Sequence, residues 1–196
     1  KFGRQRLQKG VYYIQYKTSE YLDYASQVAQ EYTLKVDITY ESAKGYEQEE
    51  NNISSNANVK DVNTKYIGNL NNNGDVDWYK FTIDRKSVLE LESWVPRESS
   101  GGVKFELYKG TDKLQENTTT TNPYNKAEGI IADPGTYLLR VTGYMNEDYA
   151  FNLNRRDYIY VSQIGLDAST EIVEGTEKTL VAKISPDNAD NKILTW

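Results

Sequence analysis

The sequence predicts an all-β fold, an antiparallel β-sandwich or jelly-roll module with partial β modules at both ends, on three observations. Short segments in which apolar and polar residues alternate run through most of the chain, and that period of two belongs to half-buried strands. β-branched and aromatic residues fill those segments, with 17 Tyr among 196 residues, the composition that suits a pleated surface. Turn signals separate them: NNNGD, SSGG, KGTDK, DPG and SPDN.

Taken in order, GVYYIQY places Tyr12, Ile14 and Tyr16 on one face, and EYTLKVDIT does the same with Tyr32, Leu34, Val36 and Ile38. Between them YLDYASQVAQ at 21–30 has room for a helical turn or two in a hairpin loop. The stretch from Glu41 to Asp75 is polar, acidic at its start and holds nine Asn between positions 51 and 73, so it reads as a linker running into a loop. Strands follow at VDWYKFTI (Tyr79, Phe81, Ile83 inward), VLELESWV (Leu89, Leu91, Val95), VKFELYK (Val103, Phe105, Leu107), GTYLLRV (Tyr137, Leu139, Val141) and YAFNL (Tyr149, Phe151, Leu153). After Asp157 a first strand with Val161, Ile164 and Leu166, a second with Leu180, Ala182 and Ile184, and a third opening at Ile193 and ending on Trp196 amount to about half of a sandwich that normally needs roughly 7 strands.

Composition narrows the chemistry. The chain has 23 Lys and Arg against 29 Asp and Glu, a net charge of −6, the wrong sign for tracking phosphates, so nucleic acid is not an expected partner. Without Cys or His it has no disulfide, no thiolate nucleophile, no zinc site of the usual ligand sets and no imidazole base. No run approaches the ~18 apolar residues of a spanning helix, so membrane insertion is not expected. The first residues, KFGRQRLQKG, lack the apolar core of a signal peptide, which puts any export signal upstream of Lys1.

An internal repeat organises the chain. Gly10–Val11–Tyr12–Tyr13–Ile14 followed by Tyr32–Thr33–Leu34–Lys35–Val36 matches Gly135–Thr136–Tyr137–Leu138–Leu139 followed by Tyr149–Ala150–Phe151–Asn152–Leu153. Residues 1–40 are then the closing half of one module, 41–157 a complete copy, and 158–196 the opening half of a different one.

Two resemblances rest on these residues. EQEENN (47–52), GDVDWYKF (74–81), GTYLLRV (135–141) and YAFNL (149–153), in that order, resemble the bacterial pre-peptidase C-terminal domain, a calcium-associated β-sandwich appended to secreted proteases. IGLDASTEIVEGTEKTLVAKISPDNADNKILTW looks like the first half of a group 2 bacterial Ig-like domain, a family of surface adhesins. The resemblances imply a bacterial protein that is secreted or displayed at the cell surface.

The strongest chemical candidate is a calcium site. Hard cations take about 6–8 oxygen ligands, and carboxylates with amide carbonyls supply them. Glu47, Glu49, Asn51 and Asn52 lie in one acidic stretch, with Asp75 and Asp77 around the turn before a strand. In the resembled family an E-x-E-x-N-D segment and an Asp of the GDxD turn hold calcium together, which carries the role to these six positions. Here the final Asp of that segment is Asn52 and its Pro is Glu50. The same residues would also serve a solvated acidic linker and an Asn-Gly-Asp turn. Asp77 shares the inward phase of Tyr79, Phe81 and Ile83, and an ionised carboxylate there needs a metal or N–H partners.

Trp78 and Trp94 alternate away from the inward residues of their strands, so both indoles are expected on the opposite face, as a platform for a sugar ring or peptide or as residues covered by a neighbouring module. Acid pairs such as Asp75 with Asp77 or Glu90 with Glu92 have glycosidase-like spacing, but that spacing recurs by chance among 29 acids, and no catalytic motif accompanies it. The expected function is non-catalytic: a calcium-associated spacer or adhesion module among neighbouring modules of the same polypeptide, with an extracellular protein or carbohydrate as the partner left open. The alternative is an accessory C-terminal region of a secreted peptidase that binds substrate matrix or aids secretion and stability.

Overall fold

The computed structural model describes residues 13–14, 33–36, 45–71, 74–95, 102–119, 124–143, 147–166, 174–175, 177 and 179–195. The chain divides into two compact units, Lys1–Lys44 and Gly45–Trp196. In the first unit, residues 13–14 and 33–36 are exposed and outside regular structure, so the strands expected there are absent at those positions. The rest of both segments, and the helical turns at 21–30, lie outside the described residues.

The second unit is built on the alternation seen in the sequence. Its strands are β1 (Asn58–Val59), β2 (Lys65–Leu70), β3 (Val76–Ile83), β4 (Ser87–Trp94), β5 (Val103–Lys109), β6 (Asp112–Thr119), β7 (Tyr124–Lys126), β8 (Ile130–Ala132), β9 (Gly135–Gly143), β10 (Glu147–Asp157), β11 (Gln163–Leu166) and β12 (Ala182–Ser185). Two sheets make a sandwich, one ordered β1-β3-β9-β5-β6 and the other β2-β10-β4-β7 with β8 also on β4. All pairings are antiparallel except β1 with β3. Tyr79, Phe81, Leu89, Leu91, Phe105, Leu107, Tyr137, Leu139, Phe151 and Leu153 point between the sheets and are fully buried, each in the phase that its strand predicts. The protein is all-β, and among the described residues no helix is long and apolar enough to cross a membrane.

Five strands, β1, β2, β6, β7 and β8, go beyond the sequence reading, and two of them correct it most directly. The polar stretch read as a linker contains β2, where Tyr66, Gly68 and Leu70 alternate inward. Its apolar signal is thinned by Gly68, whose missing Cβ makes room for Tyr149: a Cβ there would lie 2.3 Å from the Tyr149 ring and hydroxyl. The second is β6, which turns Asn117 and Thr119 inward and leaves Leu114 40% exposed, the reverse of an amphipathic strand. A bulge at Leu107/Tyr108 shifts the register there, and inward polarity is satisfied by Ser93, whose Oγ lies 2.8 Å from Thr119 Oγ1 and accepts from Asn117 Nδ2 at 3.1 Å.

Beyond β10 the tail forms one hairpin, β11 on β12, with Ile164 opposite Ile184. Ile164 and Leu166 remain 57% and 50% exposed, as expected of a hairpin without a facing sheet. Residues 191–195 are irregular and Ile193 is exposed, so the third strand expected from Ile193 is absent, and Trp196 lies outside the described residues.

Truncation at the centre of the sandwich should be costly. Phe81→Ala and Phe105→Ala are each expected to lose about 3–5 kcal/mol in urea unfolding, whereas Leu114→Ala on the outer face should lose under about 1 kcal/mol.

Candidate metal centre

Residues 46–52 form an irregular strap tied to the edge of the sandwich. Tyr46 bridges Ile67 of β2 in parallel, and Glu47 N–H donates to Ile67 O at 3.0 Å. Four residues on, Trp78 N–H of β3 donates to Asn51 O at 3.0 Å, so the strap is tied to both sheets. Between those ties Gln48 and Asn58 exchange two hydrogen bonds, at 2.6 and 2.8 Å. Burial alternates along it: Glu47 and Asn51 are buried and Glu49 half-buried, while Gln48, Glu50 and Asn52 are exposed.

Facing the strap is the start of β3. Asp75 is buried and its carboxylate accepts Asn71 N–H at 2.6 Å and Val76 N–H at 3.0 Å. Asp77 is fully buried on the inner face. Carboxylate oxygens of Glu49, Asp75 and Asp77 lie within 4.8 Å of one another. The side-chain amide of Asn51 lies 3.0 Å from Asp77 Oδ1 and 2.9 Å from Glu49 Oε2, and that of Asn52 lies 3.1 Å from Asp75 Oδ1 and 3.2 Å from Val76 O. Turned one way these amides donate N–H to the acids; turned the other way they add their oxygens to the cluster. Five of the six expected residues therefore converge directly.

The sixth, Glu47, sits one step behind. Its Oε1 accepts Asn69 N–H at 2.8 Å, and its Oε2 lies 3.3 Å from the hydroxyls of both Tyr79 and Tyr149. Those hydroxyls are 2.6 Å apart, and Tyr149 O–H reaches Asp77 Oδ2 at 2.5 Å. Four close oxygen contacts thus share two hydroxyl hydrogens, and a carboxyl proton on Glu47 or Asp77 supplies a third. Burial raises both acids: Glu47 to about 7, helped by the charge of Glu49 and opposed by the Asn69 N–H, and Asp77 to about 9, helped by the charge of Glu47 and opposed by Tyr149. Glu49 is raised as well, first by burial and then by Asp75. The ammonium of Lys60 is turned to Tyr46 O at 2.6 Å.

The fit to a hard cation follows from the donor set. Three carboxylates, the amide oxygens of Asn51 and Asn52 and the Val76 carbonyl form an all-oxygen ligand set of the kind a hard cation takes, and burial leaves Glu49 and Asp77 reluctant to carry charge alone. Sequence reasoning placed these six residues but missed the Tyr79 and Tyr149 hydroxyls, Gly68 and the amide groups of Asn69 and Asn71, whose Nδ2 donates to Glu49 at 3.0 Å. The one signal available was Tyr79 in the same phase as Asp77.

The two Trp residues point outward as predicted but on different sheets. Trp78 lies on β3 against Tyr108, with ring centroids 5.9 Å apart. Trp94 lies on β4 against Tyr124 at 5.3 Å, with Lys65 Nζ 4.2 Å over its ring. Consecutive strands that cross from one sheet to the other put the indoles on opposite outer faces, so a shared platform is ruled out. Glu90 and Glu92 are also on the outer face of β4, engaged by Lys126 at 2.8 Å and the Tyr124 hydroxyl at 3.0 Å.

No family model and no curated protein matches this chain. Among solved structures it is similar to the pre-peptidase C-terminal domain of a collagenase from Bacillus anthracis, at 22% identity and a TM-score of 0.41, over 51% of this chain and 94% of that one.

The protonation of the site fixes a pH dependence. A carboxyl whose folded pKa lies above its unfolded value of about 4 holds its proton more tightly when folded, so stability is greatest at low pH and is lost as pH rises toward the folded values. With chelator present, the protein should be roughly 1–3 kcal/mol less stable to urea at pH 8 than at pH 5, and Asp77→Asn should flatten that slope. A slope of the opposite sign would mean that the acids are ionised in the folded protein.

Proposed function

We propose that this chain is a non-catalytic, calcium-associated β-sandwich portion of a larger secreted or cell-surface bacterial protein, serving as a spacer or adhesion unit. The observation that carries the proposal is the meeting of Glu49, Asp75 and Asp77 within 4.8 Å, at an edge where the strap is bonded to both sheets. Calcium there would be held by those three carboxylates with Asn51 and Asn52, and Glu47 would steady Asp77 through Tyr149. The chemistry it supplies is charge neutralisation in place of bound protons.

The same assignment explains the strap. Calcium would fasten residues 47–52 to β3 by charge as well as by hydrogen bonds, and so join one sheet to the other. Modules completed on either side, with boundaries near residues 40 and 157, agree with the repeat in the sequence and with its resemblance to the pre-peptidase C-terminal and bacterial Ig-like families. The tail, whose hairpin keeps an exposed apolar face, fits a place in series with further β modules.

A ligand that binds only the folded chain stabilises it by RT ln(1 + [L]/Kd), about 2.7 kcal/mol at a hundredfold excess over Kd. Extracellular calcium sites work at about 10⁻⁴–10⁻³ M, so the titration runs to several millimolar. The melting temperature is expected to rise with calcium and fall back with chelator, Asp77→Asn should abolish the shift, and Glu128→Gln should leave it unchanged. A curve indifferent to calcium, or one unchanged by Asp77→Asn, would return these residues to the role of a solvated strap.

A further inference from the structure

The connection between the sandwich and the tail hairpin carries more bonding than a linker needs. β10 ends at Asp157, and residues 158–162 lead to β11. The loop after β12 then folds back on that connection. Asp190 N–H donates to Ile159 O at 3.0 Å, and Ile159 N–H donates to Asp190 Oδ2 at 2.7 Å. The same carboxylate takes both ends of the Arg156 guanidinium, Nη1 to Oδ2 at 2.9 Å and Nη2 to Oδ1 at 2.6 Å. The Asp190 side chain is only 9% exposed, and its neighbour Ala189 is buried. On the sandwich side of the joint, Lys86 places its ammonium 4.8 Å over the Tyr158 ring, and Tyr158 packs edge-on against Tyr160 at 4.7 Å.

From this geometry we propose that Arg156 and Asp190 form a latch that fixes the tail hairpin at one orientation on the sandwich. A body attached through one covalent strand can swivel about it. A second tie, 34 residues away along the chain and made through a planar two-point fork, removes that freedom, because both the position and the tilt of the guanidinium are set. Arg156 is held in turn by its place in β10, paired with β4 opposite Val88. Asp190 is held by its double bond-pair to Ile159. The latch thus joins a residue fixed by the sheet to one fixed by the tail, so the two move together. A spacer with such joints transmits orientation along its length.

The chain has no Cys, so spin labels can be placed without first removing a native cysteine. Labels at Asp112→Cys, at the start of β6, and Asp187→Cys, in the loop after β12, report the distance across the latch by double electron–electron resonance in the full chain. One narrow distance distribution is expected. Asp190→Ala should broaden it at least twofold, and Arg156→Gln, which leaves the tail's own turn intact, should broaden it equally. Chymotryptic cleavage after Tyr158 and Tyr160 should become about tenfold faster in both variants, with the melting of the sandwich unchanged. A distribution already broad in the parent protein, or one that stays narrow in Arg156→Gln, would overturn the latch.

Discussion

The described sandwich depends on a conflict at one of its edges: carboxylates are buried where the strap meets β3, and they cannot all be charged there without a counter-ion. Asp77 is fully buried and Glu47 and Asp75 nearly so. Two tyrosine hydroxyls, several backbone N–H groups and the amides of Asn51 and Asn52 soften the charge without cancelling it. Protons or a cation must do the rest, and the two compete for the same oxygens. The strap, the start of β3 and the inner ends of β2 and β10 all meet at those carboxylates.

The geometry of the conflict is set by close packing across strands far apart in sequence. Tyr149 of β10 sits opposite Gly68 of β2, and only the absence of a side chain at Gly68 lets the Tyr149 hydroxyl reach Glu47 and Asp77. Replacing one member of this group alters the others. Loss of the hydroxyl would leave Asp77 without its nearest donor, and a methyl at Gly68 would displace the hydroxyl and the Glu47 carboxylate together.

How much of this was legible in the sequence follows from which features are local. The period of two in VDWYKFTI and VKFELYK is local, and it places Phe81 and Phe105 correctly. The spacing of Glu47, Glu49 and Asn51 is local as well, and burial alternates along the same residues. β2 was read as linker because Gly68 removes an apolar residue from an already short pattern, for a reason that lies about 80 residues downstream. β6 was hidden because its inward residues, Asn117 and Thr119, are polar and bond across the core to Ser93. The sheet assignment of Trp78 and Trp94 could not be read from alternation, which gives a face within a strand but not which sheet the strand joins. The fork between Arg156 and Asp190 likewise pairs residues with no periodic signature.

The central claim, that protons and calcium compete for one buried carboxylate cluster, is tested most directly by counting the protons released on calcium binding. Calorimetric titration at pH 7 in two buffers of different ionisation enthalpy gives that count. With Asp77 raised to about 9 and Glu47 to about 7, release of about one to two protons per calcium is expected, together with tighter binding at pH 8 than at pH 6. Binding with no proton release and the same affinity at both pH values would contradict the account.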